Sequence, residues 1–448
     1  MVARPVLGWR PRHVHMTDTG HDYVSPDQLR IGLYIDLELG WMAHPFPKGS
    51  FKISSERQID TIRQLGLARI RWVPFRSDPV PQPPVMPSAE PATHSAAALE
   101  DGDGGARTPQ QDRRQRDRLL LEAQRNSLVH CDQQFGAAIR RYQFVLEQVR
   151  REPEAAGQQC SDLVAGFVAG VLGQGESSIR LLSETMGDRA CMHPVNVTVL
   201  SLLLGKALGL GQGDLQELGV AAFLHDIGKT QMPERVRCID TPLSPIDCRA
   251  YQQHVAHGIA VARTLRISDG ALRALAEHHE TIDGTGFPRQ LPGEAISLAG
   301  KVLALVNRYD NLCNPPRPSA AVTPHEALSL IFSQMKLRYD GAVLAAFIRM
   351  MGVYPPGSVV QLANELYALV VSVNSARPLK PRVVVHDPSV ARAEALILDL
   401  ERPDAPGIRR SVKPSMLPKA TIEYLSPRTR ICYFFERAVA LDPAEVMA

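Results

Sequence analysis

Two stretches decide how this chain is read: FLHDIGKTQMP at 223–233 and EHHETIDGTGFP at 277–288. Each sets two metal-binding side chains next to one another, His225-Asp226 in the first and His278-His279 in the second, on or at the end of an expected helix. Working outward, three more elements of the same kind appear. They are His193 in CMHPVNVTVL, His254 in YQQHVAHG, and the polar run Asn307-Arg308-Tyr309-Asp310. The five elements follow one another at intervals of 24 to 32 residues. That is the spacing of successive antiparallel helices that each project a group into a shared centre. The block around them, 161 to about 350, carries helical periodicity almost throughout and few strand signals. The expected fold class is mainly α.

Imidazoles with a carboxylate make a mixed nitrogen and oxygen site, which suits iron, manganese, zinc or nickel better than magnesium or calcium. An aspartate beside a histidine, as Asp226 is beside His225, can bridge two ions while the histidine binds one. Two ions about 4 Å apart could hold a hydroxide in line with a phosphate and stabilise the leaving oxygen. The chemistry to expect is phosphodiester hydrolysis, with Asp226 central to it. Lys229, one turn past the His-Asp pair, can set an ammonium against a phosphate oxygen. Asp283, Gly284 and Gly286 mark a tight turn ending in Pro288. Gly286, Phe287 and Pro288 are its candidates to touch substrate, Phe287 by stacking on a base. A single buried histidine is more often a hydrogen-bonded core residue than a ligand, and His257, His130 and the remaining histidines are left as such.

The other segments frame this block. The first 24 residues read as a disordered tail without the apolar core of a signal peptide. Residues 25–76 read as a small α+β unit. QLRIGLYIDLELGW alternates like a strand, Ile59, Ile62 and Leu65 share one helical face, and ARIRWVPF alternates again. Residues 77–116, rich in Pro, Ala, Gly and charge, read as a flexible linker. Residues 117–160 read as a long charged helix, a stalk or a homodimer contact over 117–151, or a helix packed on its own domain. After 350, YPPGSVVQLANELYALVVSVNS and PLKPRVVVHD suggest a short strand-containing extension over 351–448.

Over 448 residues, 50 Lys+Arg against 47 Asp+Glu leave a formal charge of +3, which argues against a dedicated binder of nucleic-acid polymers. Seven scattered cysteines without a C-x-x-C pair fit a reducing cytoplasm. No apolar run reaches the roughly 20 residues of a membrane span.

At HDIGK, HHE and DGTGFP the chain resembles the HD-GYP family, bacterial phosphodiesterases of the HD superfamily that hydrolyse cyclic di-GMP. The resemblance covers about residues 184–350, and the 25–74 unit resembles the small domain of unknown function that often precedes HD-GYP domains. It implies an HD-type helical bundle and two divalent transition-metal ions, iron or manganese. The implied ligands are His193, His225, Asp226, His254, His278 and His279, and Lys229 would lie on the substrate phosphate. The implied product is pGpG or, after a second cut, GMP. The family's aspartate ligand falls on Asn307, which offers a carbonyl oxygen and no charge, with Asp310 one turn later as a conceivable substitute. Phe287 stands for the tyrosine of the GYP triplet, Thr281 for an arginine and Arg189 for a glutamate that holds a third metal in some members. Two further readings stand beside the enzyme. One is a weakened domain that binds cyclic di-GMP as a sensor or scaffold. The other is an HD hydrolase for a different nucleotide, against which the DGTGFP turn argues.

Overall fold

The computed structural model describes residues 23–37, 50–64, 67, 69–73, 77, 109–173, 177–183, 189–237, 244–374, 377–403 and 405–437. The expected tail up to residue 22, most of the 77–116 linker, Leu65 and Cys238 lie outside them. The chain divides into two compact units, residues 1–103 and 104–448.

The first unit holds β1 (Tyr23–Val24), β2 (Tyr34–Asp36), β3 (Ser50–Lys52), α1 (Glu56–Gln64) and β4 (Ile70–Trp72), with an antiparallel sheet in the order β1-β4-β2-β3. Ile59 and Ile62 of α1 pack with Ile35, Ile53 and Ile70 in its core. The strand–helix–strand reading survives here, but β1 and β3 add to it. At two and three residues they are too short to show a period.

The second unit opens with α2 (Pro109–Gln148) and α3 (Pro153–Leu172). Residues 109–116, assigned from sequence to the linker, are therefore helical. Beyond Pro109 no Gly or Pro interrupts a run rich in Gln, Arg and Leu until Gly136. The helix also stops short of the expected 160, because Pro153 can open a helix but not continue one. A boundary at 160 falls inside α3. Phe135, Ala138, Tyr142 and Val145 of α2 are buried in the same core as α4, so this face is unavailable as a dimer seam.

Then follow β5 (Ser177–Leu181), α4 (Arg189–Ala207), α5 (Gln212–Leu224), α6 (Glu234–Arg237), α7 (Pro245–Thr264), α8 (Asp269–Glu277), α9 (Leu298–Cys313), α10 (Pro324–Gln334) and α11 (Gly341–Met351). Ser244, Ser268, Ser297 and Thr323 each cap a helix by accepting the N–H three residues on. Those caps fix where α7, α8, α9 and α10 begin. Among the described helices α4 alone is long and apolar enough to cross a membrane. Eighty-three per cent of that window is buried, and α4 is the core helix of the bundle.

The C-terminal part supplies β6 (Val359–Leu362), β7 (Tyr367–Asn374), β8 (Arg382–Val385), β9 (Ile397–Asp399), β10 (Ile408–Val412), α12 (Lys419–Leu425) and β11 (Tyr433–Arg437). Its sheet runs β10-β6-β7-β5-β11, with β8 and β9 pairing from β7. An interior strand of this sheet, β5, paired between β7 and β11, thus comes from the stretch read as helical almost throughout. The extension is a sheet completed by the helical block rather than a tail laid on it. SSIRL is only five residues long, and its partners lie some 190 residues or more away.

Behind α5 and the His-Asp pair the chain tightens into a 3-10 turn, Ile227–Gln231, whose N-cap is Asp226. A Cβ on Gly228 would meet the His254 carbonyl oxygen at 2.0 Å and the Gly258 nitrogen at 2.4 Å. Only glycine lets this turn lie directly on α7. Gly228→Ala is expected to push the turn off α7 and to cost at least about 1–3 kcal/mol of stability, the usual penalty of overpacking. A urea titration with the midpoint unchanged would contradict this.

Candidate metal centre

His193 lies one turn into α4, His225 caps the C-terminus of α5, and Asp226 opens the turn behind it. His254 sits in the middle of α7, and His278 caps α8 with His279 next in the chain. The donor atoms form two groups that share one carboxylate: His193, His225 and Asp226, and Asp226, His254, His278 and His279. Within each group every donor lies within 4.8 Å of the others.

One local device orients three of the rings. Nδ1 of His225, His254 and His278 donates to the carbonyl oxygen three residues upstream, on Ala222, Tyr251 and Leu275, at 2.7, 2.6 and 2.6 Å. His193 directs its Nδ1 instead at Asp310 Oδ2, 2.5 Å away. With those protons directed outward, each Nε2 presents a lone pair to the centre. The Nε2 atoms of His193 and His225 are 3.1 Å apart, and those of His254 and His278 are 3.2 Å apart. Lone pairs facing at that distance repel unless a cation lies beside them.

Asp226 spans the two groups. Its Oδ2 is 3.6 Å from His193 Nε2 and 3.5 Å from His225 Nε2, and its Oδ1 is 3.8 Å from His254 Nε2. Asp226 Oδ1 and His279 Nε2 are buried with no hydrogen-bond partner. A buried carboxylate oxygen without a partner is costly, about 1–3 kcal/mol or more. The orphaned donors, the facing lone pairs and the nitrogen–oxygen composition fit divalent metal ions, which His193, His225, Asp226, His254, His278 and His279 would hold.

The electrostatics point the same way. Burial holds the rings neutral, pushing His225 and His254 down from 6.5 to about 4, and His278 and His279 well below 6.5. For Asp226, burial favours the neutral acid, but Lys229 and the surrounding histidines outweigh it and keep the carboxyl well below its usual range. Lys229 is opposed by burial and held charged by Asp226, whose Oδ2 lies 2.6 Å from its Nζ.

Asn307 is buried on α9, and its side-chain oxygen accepts Asn311 Nδ2 at 2.6 Å. Asp310 is no substitute ligand. It holds the outer nitrogen of His193, and its other oxygen accepts Asn196 and Asn314 Nδ2. A carboxylate behind a ligating imidazole fixes its tautomer and raises its basicity. Arg189, at the position of the extra glutamate, bonds the Asn314 carbonyl at 2.6 Å and Asn311 Oδ1 at 2.8 Å.

The 281–288 turn lies against the second donor group. Phe287 stacks on His279 with centroids 4.4 Å apart, and its N–H donates to the His279 carbonyl at 3.1 Å. A Cβ on Gly286 would meet backbone atoms of residues 279–281 at 2.5–2.6 Å, so glycine is what lets the turn fold back. Pro288 follows a cis peptide bond and is exposed. Thr281 spends its hydroxyl on Asp283 at 2.6 Å. Glu280 is buried and accepts the N–H groups of Arg289 and Leu291, which clamps the turn to the histidine pair. The sequence reading missed Glu280 as a clamp, and it missed Tyr251. The ring of Tyr251 lies 4.7 Å from His254, 6.1 Å from His279 and 5.3 Å from Lys229 Nζ. Its place one turn before His254 on α7 was the available signal.

Residues 174–343 match the family model described as HD domain, and residues 23–160 match that of a domain of unknown function, DUF3391. The second match runs through α2 into α3, well beyond the unit placed at 25–76. A curated cyclic di-GMP phosphodiesterase of Pseudomonas aeruginosa is 27% identical over 367 residues, 80% of this chain and 83% of that protein. A 3'3'-cGAMP-specific phosphodiesterase of Vibrio cholerae is 30% identical over 166 residues, 36% of this chain and 35% of its own length. A solved HDG"Y"P protein from Bdellovibrio bacteriovorus aligns over 73% of this chain and 98% of its own, with 16% identity and a TM-score of 0.40.

The neutral histidines set a pH dependence for the metal-free protein. In the unfolded chain each titrates near 6.5, whereas folded His225 and His254 hold off protonation to about 4. Between those values the unfolded state binds more protons, so stability falls as pH falls, by up to about 1.4 kcal/mol per pH unit for each ring. Urea melts of chelator-treated protein are expected to lose stability between pH 7 and pH 5. A flat profile would contradict the buried, neutral assignment.

Proposed function

We propose that this chain, an HD-domain protein of the HD-GYP type with a DUF3391 unit in front, is a metal-dependent phosphodiesterase that hydrolyses cyclic di-GMP to pGpG or GMP. The observation that carries this reading is the pair of donor groups sharing Asp226. It is supported by the cyclic di-GMP phosphodiesterase of Pseudomonas aeruginosa, which aligns with four-fifths of the chain.

Bound at this centre, two divalent ions would neutralise charge on a phosphodiester and make a water acidic enough to attack it. The protein's own groups do the rest. His225, His254, His278 and His279 stay neutral, and Asp226 keeps its charge so that each oxygen serves one position. Lys229, tied to Asp226 and one-fifth exposed, is placed to turn its ammonium from that carboxylate onto a phosphate oxygen. Tyr251 and Phe287 give the second donor group an aromatic wall on which a purine can stack. Iron or manganese is the metal we favour, with Asn307 as a weak seventh donor through its amide oxygen. Scattered cysteines without a C-x-x-C pair agree with a cytoplasmic setting. Any homodimer contact along α2 would use its exposed face, where Leu119 and Val129 reach solvent.

Asn307 favours a second reading. An uncharged donor already bonded to Asn311 weakens one ion, and a domain so weakened would bind the dinucleotide without cutting it.

Manganese- or iron-loaded protein, purified without oxygen, is expected to convert cyclic di-GMP to linear product followed by chromatography. His225→Ala/Asp226→Ala should abolish this. Lys229→Ala should lower kcat by roughly 10²-fold or more, the scale on which a transition-state charge contact acts. Asn307→Asp should raise turnover. Tight binding of cyclic di-GMP without product, from protein of verified metal content, would support the sensor reading instead.

A further inference from the structure

The extension after residue 350 reaches the metal centre. Its entry into β11 runs between two asparagines of the helical block, and both treat it alike. Asn314 Nδ2 donates to the Ile431 carbonyl at 2.8 Å, and its Oδ1 accepts the Ile431 N–H at 2.8 Å. Asn196 Nδ2 donates to the same carbonyl at 3.2 Å, and its Oδ1 accepts the Tyr433 N–H at 2.8 Å. Each amide also donates to Asp310 Oδ1, from Asn314 at 3.0 Å and from Asn196 in a short contact. Asp310 is fully buried, and its other oxygen holds His193 Nδ1. One strand segment, two amides, one carboxylate and one imidazole therefore form a continuous buried chain ending at the first donor group. The segment is itself pinned, since Leu182 N–H donates to the Cys432 carbonyl at 3.0 Å and the Tyr433 hydroxyl bonds both Tyr309 and the Pro356 carbonyl.

We propose that Asn196 and Asn314 are positioning residues, through which the C-terminal strand holds Asp310 against His193 and so fixes the metal position formed by His193, His225 and Asp226. The proposal rests on the metal-site reading above. An amide is the group this place requires. It must donate to a carboxylate and a carbonyl and also accept a backbone N–H, which neither a hydroxyl of that reach nor a carboxylate can do. Without the amides, Asp310 loses both donors to Oδ1 and is free to turn, and the His193 ring loses its fixed orientation. In the second group His254 and His278 are oriented by carbonyls of α7 and α8, and among the described residues no bond links the rings of that group to this strand. The effect is therefore specific to one of two positions.

The test is manganese binding to the full chain, followed by calorimetry and by electron paramagnetic resonance. The unaltered protein should bind two ions with a coupled two-ion signal. Asn314→Ala and the milder Asn196→Ala, which leaves the bonds of Asn314 in place, should each keep one tight ion. The other should weaken about 10–100-fold, the range for lost support of a metal ligand, and the signal should become that of an isolated ion, as in His193→Ala. Val383→Ala, buried on the other side of the same sheet, should lower the melting temperature and keep both ions. Two tight ions in both asparagine variants would overturn the proposal, and so would loss of an ion in Val383→Ala. An unaltered protein that binds fewer than two ions would instead overturn the metal-site reading.

Discussion

The arrangement of this protein turns on Asp226. Its carboxylate lies in the bundle interior among histidines that burial keeps neutral, and Lys229, the cation beside it, reaches only one of its oxygens. Charge buried in that way is expensive, several kcal/mol per ion even after relaxation. The folded chain tolerates it because the facing lone pairs and the unpartnered oxygen form a receptor for positive charge. Much else is arranged so that this carboxylate lies where it does. Gly228 lets its turn sit directly on α7, α5 and α8 end at the histidines, and serine caps set the starts of α7, α8 and α9.

Two kinds of support hold the rings, and they differ in reach. His225, His254 and His278 are oriented by carbonyls three residues upstream, so any helix of that sequence supplies the bond. His193 depends on Asp310, 117 residues away, and Asp310 depends on amides gripped by a strand near the end of the chain. Three of the rings are held by local backbone and one, His193, by tertiary assembly. That asymmetry gives the C-terminal sheet a place in the chemistry.

The same division explains what could be read from sequence. The paired histidines, the His-Asp dipeptide and the helical spacing were legible because each is a local pattern repeated at one interval. Lys229 and the Gly286 turn were legible for the same reason. Asp310 was singled out, but as a conceivable ligand rather than as the support of His193, and Asn196 and Asn314 were not legible, because an amide in a buried network looks like any polar residue until its partner strand is known. SSIRL at 177–181 was hidden by its length, and the start of α2 by a charged composition that suits helix and linker equally. Asn307 stands where the resembled family places its aspartate, and the structure adds that its amide already has a partner in Asn311.

The central claim is that Asp226 bridges two metal positions, and diffraction from manganese-loaded crystals at the manganese absorption edge tests it most directly. The account predicts two anomalous peaks about 3.5–4 Å apart, the usual separation of a two-metal site. One should lie among His193, His225 and Asp226, and the other among Asp226, His254, His278 and His279. A single peak, or two peaks that do not share Asp226, would contradict it.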